Sequence, residues 1–464
     1  MASLPSYVTA AQPFPKDKRV PWYMTTAQTY ASIMLWFVFW AKVPSSDAPG
    51  SAGILAHGLG PAILGVVLGA LICHFLFFLV PGLLGMKTGL PLAVVGTSTY
   101  GVQGGFLMPG FFMGVLQFGW LAVNAYASSG LLADFLGCAE KSTVHLAIGT
   151  VWAIVAAFVG LKGINYVAKV ATFLPLLPLV ILLILTAKTI SGVGNFKPEL
   201  LAAGTAAATV PPGSLDVIMF AVATIVGFFA TAGAAGVDIA SSNRNEKDVH
   251  LGGLAGVAGA TIFTGCLAVL IVAGAYGAGL MNGKPVELSP TKLMSTIMGE
   301  GMAKIFWLLL ALSAFPGACF SALIAAASFK NTLPKVNPFI SCGIGTAVSI
   351  ALVLSGKAGD AGAVFGIIGA SFGPICGAMT ADYLLAGCKW PGPRAGFNIP
   401  GWISWAVGFV VGTWNSLFAG LLNVNFQMPC PPVAAYIVGF VLYVILAKVG
   451  LESQRLEHPA VKSQ

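Results

Sequence analysis

Apolar runs of about 20 residues recur along this chain, separated by short breaks rich in Gly, Pro, Lys and Asp; a lipid hydrocarbon core needs a helix of about that length. The pattern predicts membrane-spanning helices, not the one-sided helices of a soluble domain. Boundaries at the charged or Gly/Pro-rich breaks fall at roughly 24–43, 60–82, 106–128, 143–161, 165–188, 214–237, 252–278, 302–328, 337–355, 362–385, 402–423 and 432–448. The longest breaks, about 25 residues around Gly192–Pro212 and Gly279–Met302, are too short for a separate folded domain. The expectation is an all-α integral membrane protein of about 12 transmembrane helices, one domain over 1–464, with tails at 1–22 and 449–464.

Two segments read as discontinuous. The first runs into Pro44-Ser-Ser-Asp-Ala-Pro49-Gly50, and the sixth contains Ala230-Thr-Ala-Gly233-Ala-Ala-Gly236. Their spacing matches inverted repeats of five helices with breaks at corresponding places, and unwound backbone at mid-membrane is tolerated only beside a cavity or inside protein. The plainer alternative is that Pro44 starts a loop and the glycines pack helices.

Composition agrees with the pattern: 57% of the 464 residues are hydrophobic and 8% charged, which excludes an ordinary soluble domain. The 58 glycines and 28 prolines then read as packing and kinking devices of membrane helices. The eight cysteines lack C-x-x-C spacing and read as small apolar fillers. A net charge of +8 raises nucleic acid as a partner, but the basic residues are dispersed among loops, so the expected surroundings are the lipid bilayer and no nucleic acid. With the N-terminus inside, about fifteen basic residues face the cytoplasm, among them Lys16, Lys87, Arg244, Lys330, Arg394 and Lys448, against about seven outside. Both termini are therefore expected to be cytoplasmic, in a multi-pass protein of the plasma or inner membrane. Residues through Val20 are polar and Pro-interrupted, so no cleaved signal peptide is expected.

The third segment carries Gln117-Phe-Gly-Trp120-Leu-Ala-Val-Asn124 near its middle. Trp ordinarily favours the membrane interfaces, and Trp120 does not fit that habit. Gln117, Trp120 and Asn124 share one helical face, where amides beside a flat indole suit a planar ligand with donors and acceptors on its edge. Interhelical hydrogen bonds and a packed Trp would explain them equally. In the sixth segment Gly227, Phe228, Phe229 and Thr231 place two aromatics and a hydroxyl before the suspected break. His74, central in the second segment, reads either as a proton relay or as a donor to a neighbouring helix. Metal-ligand clusters and nucleotide-phosphate motifs are missing, so an enzyme, a metal and a resident cofactor are not expected.

Gly85-Met-Lys-Thr-Gly-Leu-Pro91, Gln117-Phe-Gly-Trp120, Val226 to Asp238 with Asn243-Arg244-Asn245, and Gly373-Pro374 through Ala381-Asp382-Tyr383 follow one another in an order that resembles the nucleobase:cation symporter type 1 family, in its purine-cytosine permease branch. The resemblance implies a leucine-transporter-type 5+5 inverted repeat plus two extra helices. It also implies import of a nucleobase-like small molecule by alternating access, by a protein expected to act as a monomer. Trp120 and Phe229 would sandwich the base, Gln117 would bond its edge, and Gly227, Phe228 and Thr231 would complete the lining. The alternative is another solute on the same fold: a vitamin pyrimidine precursor, hydantoin, allantoin or an amino acid.

The eighth segment departs from the family pattern. It reads Ala314-Phe-Pro316-Gly317-Ala-Cys319-Phe-Ser321 where the relatives tend to place asparagines and hydroxyls, so Gly317 and Cys319 would contact the substrate and Ser321 alone remains for a sodium ion. Hard cations want several oxygens. Lys42, near the first break, would then replace sodium as a tethered cation and make transport proton-coupled or sodium-independent, unless it snorkels from a helix end. The coupling ion is expected to be Na+ or H+.

Overall fold

The computed structural model describes residues 4–24, 36–37, 39–44, 53–163, 174, 176–202, 213–282 and 289–459. Trp36, Phe37, Phe39 and Trp40 lie in a helix, α1, that ends in a turn at 41–44. Nine long apolar helices follow among the described residues, with two shorter ones. In chain order these are α2 (Leu59–Thr88), α3 (Phe106–Phe135), α4 (Thr143–Leu161), α5 (Leu176–Asn195), α6 (Ser214–Ala240), α7 (Glu246–Gly277), α8 (Glu300–Thr332), α9 (Pro338–Leu354), α10 (Ala361–Leu385), α11 (Ile399–Gly412) and α12 (Pro431–Lys448). The expected break around Pro44–Gly50 lies mostly outside the described residues, as does the start of the fifth segment.

Two helix groups face each other. In one, α3, α4, α8 and α9 pack together; in the other, α2 packs on α6 and α7, while α10 joins α6 to α11 and α12. Small residues permit the close approaches. A Cβ at Gly85 would lie 1.9 Å from the Val237 carbonyl oxygen, and one at Gly65 would lie 2.7 Å from Ala221 Cβ, so α2 lies directly on α6. Exposed Leu64 and Leu68 on α2, Val151, Ile154 and Phe158 on α4, and Ile437, Val441 and Ile445 on α12 form the apolar exterior that lipid requires.

The sixth segment is not broken. The helix α6 continues through Ala230–Gly236, because its glycines serve packing: a Cβ at Gly233 would lie 2.7 Å from Phe77 Cβ, and one at Gly236 would lie 3.1 Å from the Phe78 ring. Irregular turns fall elsewhere, as π-helical stretches at Cys73–Phe78 in α2, Phe106–Phe111 at the start of α3, Leu254–Gly259 in α7 and Trp414–Phe418 after α11. Such turns widen the backbone ladder and often mark functional positions.

Both termini reach the same end of the bundle. There the Phe14 N–H donates to the Gly89 carbonyl, the Val20 N–H to the Ser242 carbonyl and the Leu456 N–H to the Pro393 carbonyl. Beneath them Arg394, 1% exposed, pairs with Asp382 at 2.8 Å and with Glu452 at 2.5 Å. Asp382 also accepts from Thr99 at 3.2 Å and from Tyr443 at 3.1 Å. Arg394, counted from the sequence among the dispersed loop charges, is thus half of a buried pair with Asp382.

Candidate functional site

A cavity of about 210 Å³ lies between the two helix groups. Gln117, Trp120 and Asn124 reach it from α3, as one helical face should, and Phe228 and Thr231 reach it from α6. Gly317 and Ser321 supply part of the α8 wall, together with Ala314 and Phe320, and Phe37 comes from α1 and Phe365 from α10.

Trp120 is the centre of an aromatic cluster. Its ring lies 4.5 Å from Phe365 at 35° and 4.7 Å from Phe228 at 82°, an edge contact. The indole N–H donates to the Thr231 hydroxyl at 3.1 Å, so Trp120 is held against α6 across the cavity. Phe229, expected opposite Trp120, is 2% exposed and absent from the wall. Adjacent helical residues point about 100° apart, and of the two Phe228 is the one on the wall.

The two amides differ in what they have left to offer. Asn124 is committed: its Nδ2 donates to the Ala314 carbonyl at 3.0 Å, while its Oδ1 accepts from Trp152 Nε1 at 3.2 Å and from the Ser128 hydroxyl at 3.4 Å. It buckles α3 to α4 and α8. Gln117, 5% exposed, donates to the Met113 sulfur at 3.4 Å, and no other hydrogen bond to its amide is present among the described residues. A thioether is a weak acceptor, so Gln117 is the amide with capacity for a ligand edge.

Gly227 and Cys319 lie off the wall. Gly227 sits where α10 crosses α6, its added Cβ 3.4 Å from the Phe365 carbonyl oxygen. Cys319, fully buried, belongs to an apolar cluster with Phe118, Ala156 and Ala157 on the α4 side of α8. Lys42 is likewise off the wall, in the turn ending α1, where its N–H donates to the Phe39 carbonyl and its own carbonyl accepts from Ile54. Ser321 reaches the cavity, its hydroxyl donating back to the Gly317 carbonyl at 3.3 Å. Lys42 and Ser321 therefore do not meet at this cavity. Phe365, Phe37 and Phe320 carried no signal beyond that of any Phe in an apolar helix.

Residues 19–389 match the family described as permease for cytosine/purines, uracil, thiamine, allantoin. Among curated proteins none matches. Among solved structures, the inward-facing conformation of Mhp1 is similar at 16% identity and a TM-score of 0.68, covering 98% of this chain and 96% of that one. Mhp1 in a closed conformation with bromovinylhydantoin bound aligns at 16% identity and 0.63 over 97% of each chain. A Na+-coupled sialic acid symporter aligns at 14% and 0.63, over 95% of this chain and 92% of its own. These likenesses give the leucine-transporter-type fold, and the sequence match over 19–389 gives the family: the chain belongs to the permeases for cytosine/purines, uracil, thiamine and allantoin, membrane transporters rather than enzymes.

Proposed function

We propose that this chain imports a nucleobase or a related planar nitrogen heterocycle by alternating access, driven by a gradient of protons or sodium ions. The supporting observation is the wall of the central cavity, where the Trp120, Phe228 and Phe365 rings lie beside the under-used amide of Gln117. Aromatic faces stack on any flat heterocycle, and an amide reads its donors and acceptors. The cavity lies where α3 and α8 face α6 and α10, so rocking of one group against the other would open it to alternate sides. The charge asymmetry supports cytoplasmic tails, with the whole chain acting as one transport unit. On that orientation a second cavity of about 570 Å³, lined by Tyr7, Phe14, Asp238 and Lys330, lies toward the cytoplasmic end.

The similar Mhp1 structure with bromovinylhydantoin supports a planar heterocycle, and the Na+-coupled symporter supports an ion gradient. The α8 wall favours a ligand with fewer polar edges than cytosine: Leu310, Ala314, Gly317, Phe320 and Ile324 are apolar or lack a side chain, and Ser321 is its hydroxyl. A buried polar edge without a partner is disfavoured, which weighs against cytosine itself; the second reading is another solute on the same fold, a hydantoin, allantoin, a vitamin pyrimidine or an amino acid, whose polar groups would have to be met from α3 and α6.

The test is a competition panel of bases, hydantoins, allantoin and pyrimidine vitamins in a transport-deficient host, with and without sodium and across pH. The expected result is gradient-dependent accumulation of at least one flat heterocycle. Failure of every member to accumulate or compete, with the protein present in the membrane, overturns the reading.

A further inference from the structure

His74 is fully buried in the π-helical turn of α2, and neither of its ring nitrogens has a hydrogen-bond partner among the described residues. A buried imidazole without partners costs stability and needs an explanation. Its ring lies 6.3 Å from that of His250, at 62°. His250 is half-buried, one turn inside α7 from exposed Glu246 and Lys247, at the end of the bundle that carries the termini. The close approach of α7 depends on Gly253, where a Cβ would lie 2.4 Å from His74 Nδ1.

We propose that His74 and His250 form a proton-binding pair whose occupancy is coupled to transport, a proposal that rests on the import reading above. One proton occupies a ring nitrogen lone pair of His74 and leaves through the facing His250 imidazole to water; no other bond changes.

Charges around the pair explain why occupancy would matter. Titratable groups on the elements packed against this turn are Cys73 and Lys87 on α2, Asp216 and Asp238 on α6, Glu246, Lys247, Asp248, His250, Cys266 and Tyr276 on α7, Cys376, Asp382 and Tyr383 on α10, and Tyr436, Tyr443 and Lys448 on α12. Of these, His250 is the ring set against His74. Four carboxylates are committed elsewhere: Asp238 to the Leu92 N–H, Glu246 to Lys87, Asp248 to Arg244 and Asp382 to Arg394. Asp216 lies in the first turn of α6. A proton on His74 therefore creates a buried cation with no paired counter-charge among the described residues, which this packing of α2, α6 and α7 disfavours. The same turn transmits the strain. Phe77 and Phe78 press on Gly233 and Gly236 of α6, the helix that brings Phe228 and Thr231 to the central cavity. Release of the proton restores the close packing, and binding it loosens that packing.

The test has two arms on the full-length protein. In the first, histidine-labelled protein is titrated in micelles by nitrogen NMR, with no substrate added. A coupled titration in the wild type that is lost in both His74→Gln and His250→Gln is expected, with Leu64→Ala, a change on the exposed face of α2, as the unaltered control. In the second, proteoliposomes accumulate whichever heterocycle the panel identifies under an imposed pH gradient. Accumulation by either His variant should fall about 5–150-fold, the range of a coupling free energy, and its pH dependence should flatten. Should His74→Gln fail to fold, His250→Gln alone decides. Independent titration of the two rings, or a wild-type pH profile in His250→Gln, overturns the pair. If no heterocycle is accumulated by the wild type, the import reading fails while the titration still decides the pair.

Discussion

The Trp120 indole nitrogen lies 3.1 Å from the Thr231 hydroxyl, joining α3 to α6 across the central cavity. Trp120→Ala removes both this link and the ring on which a heterocycle would lie. Substrate affinity should fall about 5–150-fold, as stacking of about 1–3 kcal/mol per base requires. Thr231→Val keeps the ring and should cost only about 1 kcal/mol. Binding of labelled substrate to purified protein, with surface expression measured in parallel, ranks the two.

The unequal commitments of the α3 amides predict different phenotypes. Gln117→Leu should weaken substrate binding by about 1–3 kcal/mol, the cost of an unpaired buried polar edge on the ligand, with the melting temperature unchanged. Asn124→Leu strips partners from Trp152 and Ser128, so its first effect should be a lowered melting temperature. A thermal scan and a binding isotherm on each variant separate the outcomes.

At the end of the bundle that holds the termini, Arg394→Met leaves Asp382 buried and without its guanidinium. A loss of about 3–5 kcal/mol is expected, visible as a fall in melting temperature. Adding Asp382→Leu should recover much of that loss, because desolvating the carboxylate is then no longer required.

Two glycines of α2 make a paired test of helix packing. Gly85→Ala would place a methyl 1.9 Å from the Val237 carbonyl, whereas Gly60 has nothing within 4 Å. Gly85→Ala should abolish folded protein in a size-exclusion assay. Gly60→Ala should leave it unchanged or raise stability by up to about 1 kcal/mol.

The site was legible in the sequence where polar or unusual groups repeat on one helical face. Gln117, Trp120 and Asn124 are of this kind, and α3 brings all three to the cavity. The choice between Phe228 and Phe229 was not legible, because it depends on the rotation of α6, which Gly233 and Gly236 set through contact with another helix. Those same glycines read locally as a break, since a poor helix former and a close helix contact look alike in one dimension. Phe365 stayed hidden because it is chemically ordinary until α10 is laid against α6. The buried Asp382–Arg394 pair was hidden because a helix end and a following loop appear exposed until the C-terminal segment covers them.

The interlocked terminal segments have a consequence for synthesis. Residues around Phe14 and Val20 are made before α2 and α6, yet their backbone partners Gly89 and Ser242 lie just after those helices. Leu456, made after α12, pairs with Pro393 and so helps cover Arg394. Such distant pairings form late. The segment holding Phe14 and Val20 must wait for the helices through α6 to be inserted before it can settle.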